Sequence, residues 1–244
     1  MRRPKVRTTL LVLSGFLFPV TFFYLSPVVI LAGASEGIVT GSFVVFGVLF
    51  LSALAFGRAF CGWVCPGGAI AGAAGRLRDR PVTRGWVRWV KFGIWAPWLG
   101  AIALFAVQAG GLRRVEFTYM TWHGISVATW EGLIAFALVT LVIAGLTLLV
   151  GRRGFCHTLC WMAPFMVLGR AVANLARLPA LRLRARQDKC VGCGACTRGC
   201  PMSLDVQRMV ESGNLEQRDC ILCARCADRC PKGVIGLRIA PPPK

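Results

Sequence analysis

Charge is scarce in this chain, and acidic charge scarcest. Only 16% of the 244 residues are charged and 56% are hydrophobic, whereas a soluble domain carries roughly 25% charged residues, so most of the chain is not built for water. Aspartate and glutamate number 10 against 29 lysines and arginines. Such a surplus of base can serve nucleic acid, but here the basic residues stand between long apolar runs rather than along a polar face. That excludes a nucleic-acid partner and favours a cytoplasmic membrane margin in contact with lipid. The motif C-x-x-C-H is missing, which excludes a covalently attached c-type haem. No nucleophile stands out beside an acid–base pair, so any chemistry falls to bound cofactors rather than to a stand-alone enzyme.

Cysteine is plentiful, with twelve residues in four motifs. Eight fall between Cys190 and Pro231 in two copies of C-x2-C-x2-C-x3-C-P: Cys190, Cys193, Cys196 and Cys200 before Pro201, then Cys220, Cys223, Cys226 and Cys230 before Pro231. This spacing binds 4Fe-4S clusters, with the fourth cysteine of each run serving the other cluster. The expected ligand sets are therefore Cys190, Cys193, Cys196 and Cys230 for one cluster and Cys220, Cys223, Cys226 and Cys200 for the second. Zinc knuckles need no third cysteine and no repeated C-P ending, and a disulfide framework suits an oxidising compartment.

Four apolar runs approach or reach membrane length: about Thr8 to Leu31, Gly41 to Gly57, Trp89 to Gln108 and Gly132 to Val150. The first follows a basic start, as a signal peptide would, but lacks a small-residue cleavage site and is read as a retained helix with a kink at Pro19 and an end at Pro27. Basic residues crowd the N-terminus, the second-to-third connection and the segment after the fourth run, while the other connections hold only Arg113 and Arg114. Both termini are thus expected on the cytoplasmic side of a bacterial-type inner membrane, with the cluster domain. Residues 1–160 form a four-helix transmembrane domain in this reading. Residues 161–187 follow as an interfacial helix, Trp161 to Leu183, and linker; residues 188–240 form a ferredoxin-like α+β domain, with a helix over Ser203 to Glu211 and a strand over Val234 to Ile239. Residues 241–244 are a disordered tail. The fold class is an α-helical membrane protein of two pseudo-repeated helix pairs with this domain at its C-terminus.

The remaining cysteines lie in Arg58-Ala-Phe60-Cys61-Gly-Trp63-Val-Cys65-Pro66 and Arg153-Gly-Phe155-Cys156-His157-Thr-Leu-Cys160-Trp161. Each C-x3-C closes an even-numbered span behind Arg-x-Phe, which marks an internal repeat. Spacing of i and i+4 puts each pair on one helical face. Cys61, Cys65, Cys156 and Cys160 could then converge on a further iron–sulfur cluster or another metal, act as a cycling dithiol, or pack as small buried residues. His123, beside Trp122 and at the far face, is a candidate for accepting a proton from a quinol, against the plainer role of a loop histidine in an aromatic belt.

Four spans, the Cys61–Pro66 motif, a second C-x3-C and a C-terminal two-cluster region together resemble the NapH/MauN-type polyferredoxin membrane proteins, which are related to the core of the NosR and CcoG groups. The resemblance implies an electron-transfer subunit, often a quinol dehydrogenase component, that passes electrons between the quinone pool and a partner redox protein such as a ferredoxin-like, cytochrome or reductase subunit. It places the cluster ligands on the eight cysteines named above and the C-x3-C-P motif on Cys61, Cys65 and Pro66; Trp161 departs from it in the second copy. Two other functions compete. A maturation or copper-reductase-like factor would work through the C-x3-C thiols, and an assembly module would use its clusters only to stay folded. Lys189, Arg198, Arg225, Arg229 and Lys232 are expected to offset the clusters' negative charge.

Overall fold

A computed structural model describes residues 2–242. Helix α1 (Arg2–Phe16) starts inside the basic segment. The chain then breaks into the single turn α2 (Phe18–Thr21), a 3-10 turn at Phe23–Leu25 and α3 (Pro27–Ser35). The first apolar run is therefore not one kinked helix. Pro19 lies in the first turn of α2 and Pro27 opens α3, positions where a missing N–H costs nothing but where a preceding helix stops.

Beyond it, strand β1 (Ile38–Thr40) pairs in parallel with β2 (Arg114–Glu116), and the chain runs through α4 (Gly41–Phe56), α5 (Ala59–Trp63), α6 (Pro66–Leu77), α7 (Val87–Gln108), α8 (Trp130–Val150), α9 (Gly154–Thr158) and α10 (Met162–Leu175). The triplet α4–α5–α6 recurs as α8–α9–α10. Both long helices start on a threonine cap, Thr40 accepting from the Phe43 N–H and Thr129 from the Gly132 N–H. Both end on a glycine of positive φ, Gly57 at 54° and Gly151 at 125°.

The two triplets interlock. Helix α10 packs on α4 of the other triplet, and α6 packs on α8. The backbones of α10 and α4 come so close that a Cβ on Gly169 would lie 3.0 Å from that of Ala53. Phe165 of α10 is held edge-on by Phe46, Trp95 and Trp98, at 5.3, 5.3 and 5.9 Å. Helices α7 and α8, 22 and 21 residues long, are long and apolar enough to cross a membrane, and only 6% and 11% of their most apolar stretches are buried. Their exposed Leu104, Val107, Leu138 and Leu141 need an apolar surround.

Helix α10 stops at Leu175, not at Leu183. Ala180 to Ala185 instead forms β3 (Ala180–Ala185), antiparallel to β4 (Ile235–Ala240), with Ala180 opposite Ala240 and Ala185 opposite Ile235. The alternation Leu181-Arg182-Leu183-Arg184 has the period of a strand and not of a helix. Between these strands lie α11 (Ala195–Arg198), α12 (Val206–Glu211) and α13 (Arg225–Asp228). The α12 helix begins three residues later than expected, because Asp205 supplies its cap by accepting from the Arg208 N–H at 3.2 Å. The strand expected over Val234 to Ile239 is β4. Of the expected disordered tail, residues 243 and 244 lie outside the described residues.

Candidate metal centres

Each C-x2-C-x2-C run bends through two left-handed positions. In the first these are Gly192 and Gly194 (φ 67° and 69°), in the second Leu222 and Ala224 (48° and 57°). The bends turn the first three thiols inward, and the short helices α11 and α13 carry the third cysteine and aim the fourth elsewhere. Cys190, Cys193, Cys196 and Cys230 line one pocket, walled by Val210 and Ile235. Cys200, Cys220, Cys223 and Cys226 line another, walled by Leu183, Met202 and Ile221. Three thiols of each set come from one run and the fourth from the other.

Burial pushes the Cys220 thiol up to about 12, and it raises Cys226 further, with Cys220, Cys223 and Cys200 adding to the effect. Such thiols stay protonated until a metal takes the proton's place. Among the described residues no three metal-binding side chains are spaced for a single ion. Four thiols around each of two apolar-walled spaces fit the wider polynuclear cluster better.

The C-x3-C pairs do not share a helical face as i and i+4 positions of one helix. Helix α5 ends at Trp63, and Cys65 is the residue that precedes α6; likewise Cys156 lies in α9, which ends at Thr158, and Cys160 lies outside it, two residues before α10. The Cys65 N–H bonds the Phe60 carbonyl at 2.9 Å and the Cys160 N–H bonds that of Phe155 at 3.1 Å, the same turn twice. All four thiols are buried. Burial raises the Cys65 thiol, and the neighbouring Cys61, Cys160 and Cys156 raise it further; burial likewise takes Cys160 to about 12, with Cys156 and Cys61 contributing. The two halves thus bring these thiols into one neighbourhood, and Arg153 of the second half donates to the Cys61 carbonyl of the first at 2.8 Å.

Charged residues from distant parts of the chain surround this neighbourhood. Lys91 Nζ donates to Asp219 Oδ1 at 2.6 Å and Arg58 Nη1 stands 3.5 Å from the same oxygen, all three side chains at most 2% exposed. His157 is fully buried, and neither ring nitrogen has a hydrogen-bond partner; Arg58 Nε and Nη2 are likewise unpaired. Burial holds the His157 pKa down to about 3, against the pull of Asp219, so the ring is neutral. Buried donors without acceptors are rare. Sulfur atoms of a group held by the four thiols are acceptors of the right kind, so these residues also fit a cluster. The available signals were a lysine inside an apolar run and one of the few acids placed directly before Cys220.

The cysteine module and the C-x3-C turns meet at Gly62. A Cβ there would lie 3.1 Å from Cys223 Cα, so only glycine permits the approach. Trp63 Nε1 donates to the Leu222 carbonyl at 3.1 Å, while from α1 Arg7 donates to the Cys223 carbonyl and Arg3 pairs with Asp228 at 2.7 Å. At the opposite end His123 (φ 48°) stacks edge-on against Trp122 at 5.2 Å. Glu116 pairs with Arg114, and Glu36 accepts from Tyr119. The structure does not bring His123 to a carboxylate among the described residues.

Paired four-cysteine spaces in a module of this kind define a ferredoxin-type iron–sulfur protein. A family model described as a 4Fe-4S binding domain matches residues 38–85 and again 132–178, one copy over each interlocking triplet, and a 4Fe-4S dicluster domain matches 189–235. The methylamine utilization ferredoxin-type protein MauN of Methylobacillus flagellatus is 32% identical over 66% of this chain and 53% of its own length. The ferredoxin-type protein NapH of Haemophilus influenzae is 27% identical, over 77% and 64%, and the protein RdxA of Cereibacter sphaeroides 24%, over 90% and 49%. The chain belongs to the NapH/MauN-type polyferredoxin family. It spans roughly half to two thirds of the length of these relatives. No solved structure matches it.

Proposed function

We propose that this chain is a multi-pass subunit of the cytoplasmic membrane that relays electrons between the quinone pool and a partner redox protein. The observation that carries the reading is the close approach of Gly62 and Cys223, which sets the buried thiols of the C-x3-C turns beside one of two four-cysteine spaces. Clusters bound there supply one-electron transfer. Cys190, Cys193, Cys196 and Cys230 hold one of them, and Cys200, Cys220, Cys223 and Cys226 the other. Cys61, Cys65, Cys156 and Cys160 would hold a third, and His157 and Arg58, with both ring nitrogens of the one and Nε and Nη2 of the other unpaired, would serve as hydrogen-bond donors to it. The apolar walls exclude water, and Lys91, Asp219 and Arg58 fix the module on the membrane part.

The length and apolarity of α7 and α8 support the membrane assignment, and the reading takes the broken α1–α3 segment and α4 as the other two of four crossings. Arg3, Arg7, Arg58, Arg88 and Arg152 all contact the cysteine module, so the basic ends of these segments gather on one side, as a cytoplasmic face requires. To test the function, the detergent-purified protein is assayed for iron and then mixed anaerobically with a quinol while the cluster absorbance is followed. At least about eight irons per chain and quinol-dependent bleaching are expected. Full iron loading without exchange with any quinone removes the quinone from the proposal.

A further inference from the structure

A cavity of about 450 Å³ opens between α1, α6 and the cysteine module, a volume in the range of small-ligand sites. Seven of its lining residues are arginines. Arg7, Arg152, Arg153 and Arg198 line it, each already engaged: Arg7 with Asp228, Arg152 with Asp79, and Arg153 and Arg198 with carbonyls. Arg76, Arg225 and Arg229 line it too, and among the described residues their side chains make no hydrogen bond or ion pair. Asp79 is the only acid among the described lining residues; with Asp228 on Arg7 and Asp79 on Arg152, the other five guanidinium groups of the lining have no carboxylate. A cluster held by Cys200 and Cys223, at the edge of the cavity, offsets part of this charge; three unpaired arginines remain, and their mutual repulsion calls for a further anion.

The floor is different. Leu11 and Val12 of α1 and the Ala69, Gly72 and Ala73 strip of α6 form a smooth apolar surface, and a Cβ on Gly72 would meet nothing within 4 Å. Arginine above and a small-residue apolar strip below suit a ligand with a phosphate head and a hydrocarbon body. Arginine binds phosphate through paired N–H groups, and basic pockets beside membrane helices on the cytoplasmic side hold anionic headgroups.

We propose that this cavity binds a phosphate group, and that its source is the headgroup of an anionic membrane phospholipid. The inference rests on the membrane reading above. Seated there, the lipid bridges α1 and α6 to α13 and the Cys200 loop, and so fastens the cysteine module to the membrane surface.

The full-length protein, purified in a mild detergent, is examined by native mass spectrometry, and its binding to phosphatidylglycerol and to phosphatidylcholine is titrated in mixed micelles. Wild type should retain about one anionic phospholipid and prefer phosphatidylglycerol. The double variant Arg76→Gln/Arg229→Gln should lose that lipid and weaken binding at least about tenfold, with iron content unchanged, while Arg238→Gln on the outer strand β4 binds as wild type. Equal affinity for both lipids, or undiminished binding by the double variant, overturns the proposal. Inorganic pyrophosphate is titrated in parallel. If it binds tightly to protein that retains no lipid, the site takes a soluble phosphate and the lipid source is overturned. Release of the protein from membranes by alkaline carbonate refutes the membrane reading itself, whatever the lipid titration gives.

Discussion

One chain gathers its cysteines in two ways. In the C-terminal module three thiols of each set lie within seven consecutive residues and the fourth comes from the sister run, so spacing alone groups them. At the C-x3-C turns each half supplies only two thiols, and convergence depends on α6 lying against α8 and α10 against α4. A local motif is set by its own turns. A divided one depends on how two halves dock, and its energetics lie in the docking contacts.

The sharpest way to break this contrast is to remove single thiols. Cys200→Ala should lose the same cluster as Cys223→Ala, about four irons, and not the one lost in Cys193→Ala; iron analysis with electron paramagnetic resonance distinguishes them. The opposite grouping would end the crossed assignment. At the divided site Cys61→Ser and Cys156→Ser should give the same spectral loss and leave the two module clusters intact. Different residual spectra would mean that the halves do not share a site.

The docking contacts come next in size. Lys91→Met leaves Asp219 buried beside a more distant Arg58, and should lower stability by about 3–5 kcal/mol, read as a fall in the thermal midpoint. Adding Asp219→Asn should recover part of it. A smaller loss, about 2–3 kcal/mol, is expected for Glu216→Gln, because Glu216 accepts from Arg170 at 2.7 Å and from Arg182 at 2.7 Å. Burial raises the Glu216 pKa, but the two arginines outweigh it and hold the carboxyl below its ordinary 4.5. Its stabilisation is therefore present above that value and lost as pH falls through the depressed one. The difference between wild type and Glu216→Gln should be full at pH 7 and close under acid.

The smallest effect tests the local motif. Ala224 sits at φ 57° where the sister run has Gly194, so Ala224→Gly trades relief of strain against a more flexible unfolded chain, and should stay within about 0.5 kcal/mol of wild type by thermal denaturation.

What the sequence revealed follows the same division. The eight module cysteines could be grouped from spacing, and the ends of α7 and α8 from runs of apolar residues. The interlocking of the triplets was hidden, because α4 and α8 are apolar on every side and no face marks a partner. The break between α1 and α3 was half visible in Pro19 and Pro27. Strand β3 was obscured because its alternating arginines looked like the polar side of an interfacial helix, although Arg182 is buried against Glu216. The Lys91–Asp219 pair joins residues 128 positions apart, a pairing that only the folded chain displays.

The exchange of helices between the two triplets bears on how the protein is made. When α4, α5 and α6 have left the ribosome, the surfaces that will receive α10 and α8 are bare, and Cys61 and Cys65 have no counterparts. The first half must wait, half-finished, until the chain has been synthesised from Leu77, the end of α6, to Leu175, the end of α10. During that interval its only cover is the bilayer or a chaperone, so the order of synthesis makes the second triplet the step that closes both halves at once.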